Sequence, residues 1–145
     1  MKFRITFLLF FLCNIYVLAQ HSNELTQLIE KGDSFCQNNE FDKGIESYTA
    51  ALKISQKSPV AYQKRGNAYF SIKKFDLAVS DYTKALNNNP NNPEIIYVMR
   101  GLSKSLLKKE DKKGACEDFR KAKNLGYDLK EMAGLNEYCG TNDLE

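Results

Sequence analysis

The sequence predicts an all-α solenoid, three helix pairs stacked side by side and closed by a C-terminal capping helix. Two observations carry this. Laid over itself at an offset of 34 residues, KGDSFCQNNEFDKGIESYTAAL (31–52) matches RGNAYFSIKKFDLAVSDYTKAL (65–86) at Gly32/Gly66, Phe41/Phe75, Asp42/Asp76, Tyr48/Tyr82, Thr49/Thr83, Ala51/Ala85 and Leu52/Leu86. Self-similarity at such a period marks a structural unit that buries its apolar face only against its neighbours. Within a copy, Tyr62, Arg65, Gly66 and Tyr69 follow the three-and-four spacing of one helix face, and Ala78, Tyr82 and Ala85 do the same on a second helix. A length of 145 residues with 43% apolar and 12% aromatic content suits one packed domain and excludes disorder.

Residues 1–19 stand outside the repeats. Lys2 and Arg4 precede an apolar run over 5–17, broken only by Thr6 and Asn14, and Val17-Leu18-Ala19 places small residues where a signal peptidase inspects. A cleaved export leader is expected, with cleavage after Ala19. An uncleaved anchor is the lesser alternative, because the run is short for a bilayer. Cys13 follows Phe11-Leu12 rather than small residues, which excludes a lipid-anchor site. Loss of Lys2 and Arg4 lowers the net charge from +3 to +1, so nucleic acid is not implied as a partner. The Asn- and Lys-rich composition and the leader point to a bacterial protein of the periplasm or the exterior.

The first repeat is expected over 25–58 and the second over 59–92, opened by Pro59 at a helix start where a missing N–H costs little. IKKFD (72–76) is the turn between its two helices. NNNPNNP (87–93) punctuates the next boundary, and Pro93 opens the third repeat, expected over 94–127. There Tyr62, Arg65 and Gly66 recur as Tyr97, Arg100 and Gly101, and Ala78, Asp81, Tyr82, Lys84 and Ala85 recur as Ala115, Asp118, Phe119, Lys121 and Ala122. The offset grows from 35 to 37, so two residues have entered the turn between the helices. A capping helix is expected over 128–139, with Leu129, Met132, Leu135 and Tyr138 inward and Lys130, Glu131, Asn136 and Glu137 outward. Small Gly and Ala positions let the paired helix axes approach closely.

The 34-residue period and the Gly66…Tyr69…Ala78…Tyr82…Ala85…Pro90 order resemble tetratricopeptide repeats over about residues 24–125. Gly44 departs from the family's usual Ala, Gln56 from its Pro and Lys104 from its aromatic. The resemblance implies a right-handed α–α superhelix whose concave groove, lined by the first helix of each pair, commonly takes a peptide. In this register the groove candidates are Thr26, Ile29, Asp33, Cys36, Val60, Gln63, Lys64, Asn67, Phe70, Ile95, Val98, Leu102 and Leu106. One specialised version clamps a C-terminal carboxylate with Lys, Asn and Arg. The matching positions hold Ile29, Asp33, Lys64, Ile95 and Met99, so the resemblance does not extend to that clamp. Two readings stay open for the apolar candidates: a peptide or partner-helix site, or simple burial between neighbouring helices.

No reaction chemistry stands out, and no enzyme is expected. His21 is the single histidine, which excludes a histidine triad or a multi-histidine metal site within one chain. There is no P-loop, dinucleotide fingerprint or Cys-x-x-Cys, so no cofactor, metal or small-molecule substrate is expected. Glu117 and Asp118 read as a solvated helix face. The expected function is a non-catalytic interaction module or scaffold of the bacterial cell envelope with a protein or peptide partner and no membrane span after cleavage. The alternative is a thiol-active protein using Cys36, although no Lys, Arg or His lies one helical turn away to activate it. Cys116 occupies the place of Ile45 and Val79, facing the following helix, and Cys139 falls at nearly the same height along the hairpin with the cap. A Cys116–Cys139 disulfide is expected, closing a loop of about 24 residues with a contribution of roughly 3 kcal/mol; two separate core thiols are the alternative.

Overall fold

The computed structural model describes residues 2–107, 111–130, 132 and 134–140, with side chains from Gln20 onward apart from Asn136. Seven α-helices and no strand occur among them: α1 (Lys2–Gln37), α2 (Phe41–Ile54), α3 (Pro59–Ser71), α4 (Phe75–Asn87), α5 (Pro93–Ser105), α6 (Lys112–Asn124) and α7 (Leu135–Cys139). Helix α1 runs without interruption from the expected leader into the first repeat, since residues 18–25 hold neither Gly nor Pro to break it. The expected insertion falls between α5 and α6, partly outside the described residues. Glu131 also lies outside them.

Each helix packs on the next, and α1·α3 and α3·α5 also meet while α2 and α4 do not. That asymmetry puts α1, α3 and α5 on the inside of the curve and makes their common side the concave face. Ser58 caps α3 by accepting from the Ala61 N–H at 3.2 Å, with Pro59 in the first helical turn. Asp111 caps α6 through the Gly114 N–H at 2.9 Å.

The tight α1–α2 and α3–α4 turns share one backbone solution. Glu40 N–H donates to Phe35 O and Lys74 N–H to Tyr69 O, both at 2.9 Å, with Asn39 (φ 60°) and Lys73 (φ 59°) left-handed between them. Gly126 (φ 93°) ends α6 in the same way. A lysine is strained in that region, whereas Asn and Gly are not. Lys73→Gly is therefore expected to raise stability by about 0.5–1 kcal/mol in urea denaturation.

The core is a series of clusters across the helix interfaces. Ala51, Leu52 and Ala61 join the first two repeats, with Leu25, Leu28, Ile29 and Tyr62 packed around them. Ala78, Tyr82, Ala85 and Ile96 join the next two. At each repeat's waist a glycine receives an aromatic ring. A Cβ at Gly66 would lie 2.9 Å from the Tyr82 ring and one at Gly101 2.8 Å from the Phe119 ring; Gly32 meets Tyr48 similarly. Gly44, the departure noted in the sequence, makes room for the Cys36 sulfur, which fills the space a Cβ would take.

The cap differs from the expected helix. Among its described residues only Leu135–Cys139 is helical, and the preceding chain turns through Met132 N–H to Leu129 O (3.0 Å) and Leu135 N–H to Met132 O (3.2 Å), with Gly134 at φ 78°. Leu129, Met132, Leu135 and Tyr138 nevertheless all reach the cluster formed with Ala115, Cys116 and Phe119. A three-residue spacing serves consecutive turns as well as a helix. Cys116 and Cys139 are paired, their Cα atoms 5.6 Å apart.

Candidate functional site

The concave face is built from one stripe on each inner helix. On α1 the stripe is Thr26, Glu30, Asp33 and Gln37; on α3 it is Val60, Lys64, Asn67 and Ser71; on α5 it is Ile95, Met99, Leu102 and Leu106. The spacing of four, three and four keeps each set on one side of its helix, and every member is exposed or half-buried. The face thus grades from polar on α1 to wholly apolar on α5, where the stripe is about 16 Å long. Ile95 and Leu106 are 41% and 51% exposed, high for side chains of their size.

Two clefts indent this face. One of about 320 Å³ is lined by Asp33, Cys36, Gln37, Phe41, Tyr48, Lys64, Asn67, Ala68 and Ser71. The other, about 620 Å³, lies between the second and third repeats against Phe70, Ser71, Lys73, Phe75 and Leu106. Phe70 and Phe75 meet edge to face with centroids 5.4 Å apart, which holds the second cleft's wall.

The charged residues of the first cleft, and Tyr48 and Asn67 with them, are already partnered. Asp33 accepts from the Tyr48 hydroxyl at 2.6 Å and pairs with Lys64 at 2.9 Å. Asn67 accepts from Tyr82 at 2.8 Å. Burial foremost, then the hydrogen bond to Asp33, pushes the Tyr48 phenol above its usual range; burial and the nearby Asp81 charge do the same to Tyr82. Both phenols therefore remain donors at any physiological pH.

Not every groove candidate faces the groove. Val98 is 5% exposed and is buried, and Ile29 is packed against the first core cluster, so the reading of burial between helices holds for these two. Gln63 is half-buried one position from the α3 stripe. Phe70 and Leu102 serve both sides, each half-buried in a core cluster while Phe70 also walls the larger cleft. Cys36 is a half-buried free thiol 3.7 Å from the Tyr48 hydroxyl, seated against Gly44.

The sequence reading of Asp118 as solvated is incorrect. Asp118 is 1% exposed and accepts from Arg100 Nε and Nη2 at 2.8 and 2.6 Å, while Lys104 Nζ approaches at 2.9 Å; Glu117 alone is exposed. The same device stands one repeat earlier, with Arg65 bidentate on Asp81 at 2.7 and 2.9 Å. The third guanidinium nitrogen reaches back across the repeat boundary, from Arg65 to Thr49 (3.0 Å) and from Arg100 to Thr83 (3.1 Å). Hydrogen bonding to Asp81 raises the Arg65 pKa further against the opposing effect of burial. Lys104 stands where an aromatic is usual because it shares Asp118. The signal that could have found this ladder was present: Arg and Asp recur together, as Arg65/Asp81 and Arg100/Asp118.

Comparison with known proteins agrees with this geometry. A tetratricopeptide repeat family model matches residues 59–92 and a second TPR repeat model residues 32–73. RNA polymerase II-associated protein 3 of Xenopus tropicalis is 32% identical over 108 residues, 74% of this chain and 16% of that protein, so the chain spans only a small part of that relative's length. Among solved structures, the first TPR of Spaghetti (RPAP3) bound to HSP90 peptide SRMEEVD superposes with a TM-score of 0.73 at 26% identity, covering 83% of this chain and 94% of that one. The Arabidopsis OM64 TPR domain gives 0.73 at 24% identity over 83% and 98%. The chain belongs to the tetratricopeptide repeat family, with three helix pairs and a short cap.

Proposed function

We propose that the protein is a non-catalytic interaction module that takes a peptide or partner helix on its concave face, anchored chiefly on α5. The observation that carries this reading is the apolar stripe beside the 620 Å³ cleft, with Ile95 and Leu106 exposed and Met99 and Leu102 half-buried between them. An apolar groove of this kind suits the i, i+3/i+4 anchors of an amphipathic segment. A related TPR domain is described in complex with an HSP90 peptide, which supports the peptide-binding class. The positions matching a carboxylate clamp argue for different ligand chemistry here. They hold Ile29, Asp33, Ile95 and Met99, and the Lys64 ammonium among them is engaged by Asp33.

The test is capture of partners from the native host. Ile95→Asp and Leu106→Asp alter exposed residues and leave the core intact, whereas Val98→Asp would break it. Each Asp variant is expected to lower partner recovery at least tenfold at unchanged thermal stability. Equal recovery by both variants would remove the concave face from the account.

The setting we propose is the bacterial cell envelope, in the periplasm or outside the cell, with residues 1–19 removed and Cys116–Cys139 oxidised. The leader-like composition of 1–19 and the pairing of the two cysteines support it. Mature protein beginning at Gln20, with a disulfide-linked pair of peptides in a non-reducing mass map, is the expected outcome; a chain retaining Met1 would refute removal of residues 1–19, and free thiols at both cysteines would refute the oxidised pair.

A further inference from the structure

We infer that Cys116–Cys139 is an exchange site for a dithiol reductant, and that its reduction releases the cap while the three repeats stay folded. The inference rests on the oxidised pairing and is independent of what the concave face binds. Three independent features converge on the bond.

The first is access and charge. A cleft of about 340 Å³ lies over Cys116, which is itself 4% exposed, and is lined otherwise by Lys112, Lys113, Glu117 and Arg120. Lys112, Lys113 and Arg120 are the residues four before, three before and four after Cys116, so all three lie within about one turn of it along α6, with the Lys112 ammonium 5.4 Å from the centre of the Tyr138 ring. Cations so placed draw in an anionic thiolate and stabilise the thiolate that Cys116 becomes. Glu117 is the single acid in that lining. Cys36 has no comparable surroundings.

The second is how locally the cap is held, on the one cluster around Ala115, Cys116 and Phe119. Helix α7 has five residues, too few to persist alone, and approaches α6 and no other described helix. Gly134 (φ 78°) and Gly140 (φ 85°) flank it in the left-handed region. The third is what stays behind. The Arg65–Asp81–Thr49 and Arg100–Asp118–Thr83 ladders tie repeat to repeat without any cap residue. Opening therefore uncovers Ala115, Cys116 and Phe119 at the end of the array and need not propagate through it.

The exchange balances as ordinary thiol–disulfide chemistry. A reductant thiolate attacks Cys116 Sγ through the cleft, forming a new S–S bond as the Cys116–Cys139 bond breaks, and Cys139 leaves as a thiolate that takes up a proton. The reductant's second thiol loses its proton and attacks the reductant's first sulfur in the mixed disulfide, releasing Cys116 as a thiolate. Two electrons pass from the dithiol, which becomes the cyclic disulfide, to the protein.

The test uses the non-reduced protein with dithiothreitol, quenched by alkylation and read by mass. Lys113→Glu, an exposed change, is expected to slow reduction roughly fivefold, and raising the salt concentration is expected to slow the wild type in the same direction. Hydrogen exchange after reduction is expected to lose protection over 135–140 while α3 and α4 keep theirs. Reduction rates indifferent to both Lys113→Glu and salt would overturn the exchange site. Loss of protection across all three repeats together, or nowhere, would overturn the releasable cap.

Discussion

Asp118→Ala is expected to destabilise the protein by about 3–5 kcal/mol, the range for breaking a buried ion pair from one side. The carboxylate is 1% exposed and holds two cations, Arg100 and Lys104, whose side chains are 12% and 17% exposed. Alanine leaves both charges in a site that water barely enters, and frees Arg100 from the geometry that lets it reach Thr83. The loss should therefore appear as looser coupling between the second and third repeats as well as lower overall stability. Asp81→Ala strands a single guanidinium, Arg65, so its cost should be smaller. Urea denaturation followed by circular dichroism gives both numbers. Because the pairs are shielded, the differences should change little with added salt. A cost below about 1 kcal/mol for Asp118→Ala would show that the ladder is not what binds the repeats.

That ladder also marks the limit of what the sequence discloses. Helix pairing was legible because the residues that make it recur: Gly66 with Tyr82 and Gly101 with Phe119 are ring-on-glycine contacts, and a contact repeated in space repeats in the chain. The same logic placed the inserted turn before α6 and set Cys116 opposite Cys139. Adjacent charges are harder to read. Glu117 and Asp118 are neighbours of equal polarity, and periodicity alone does not say that the helix turns one outward and the other into an Arg100 fork. The groove was legible as a face but not residue by residue. Ile29 and Val98 sit one position off the stripe, which is enough rotation to bury Val98 and to turn Ile29 onto the first core cluster. The cap was overread as a long helix because apolar residues three apart satisfy a chain of turns equally well, and Gly134 permits the turn.

Phe119→Tyr is expected to cost about 2 kcal/mol although it adds a single oxygen. In the first two repeats the ring at this position is a tyrosine whose hydroxyl donates to the residue following the waist glycine: Tyr48 to Asp33 and Tyr82 to Asn67. In the third repeat that residue is Leu102 and the ring is Phe119, 1% exposed. Acceptor and donor have been lost together. A hydroxyl placed there would be desolvated beside a leucine, and Leu102→Asn should restore the missing acceptor. The double variant is therefore expected to be more stable than the sum of the two single changes allows, by at least about 1 kcal/mol in a double-mutant cycle. Strict additivity would show that the polar pair is not transferable between repeats. The cycle also bears on function, because Leu102 belongs to the α5 stripe. The phenylalanine that needs no acceptor is what allows a leucine to stand at that point of the concave face. Leu102→Asn with Phe119→Tyr should thus preserve the fold while interrupting the apolar stripe, and it should weaken partner capture in the manner of Leu106→Asp. Restored stability with undiminished capture would separate the third repeat's apolar surface from binding.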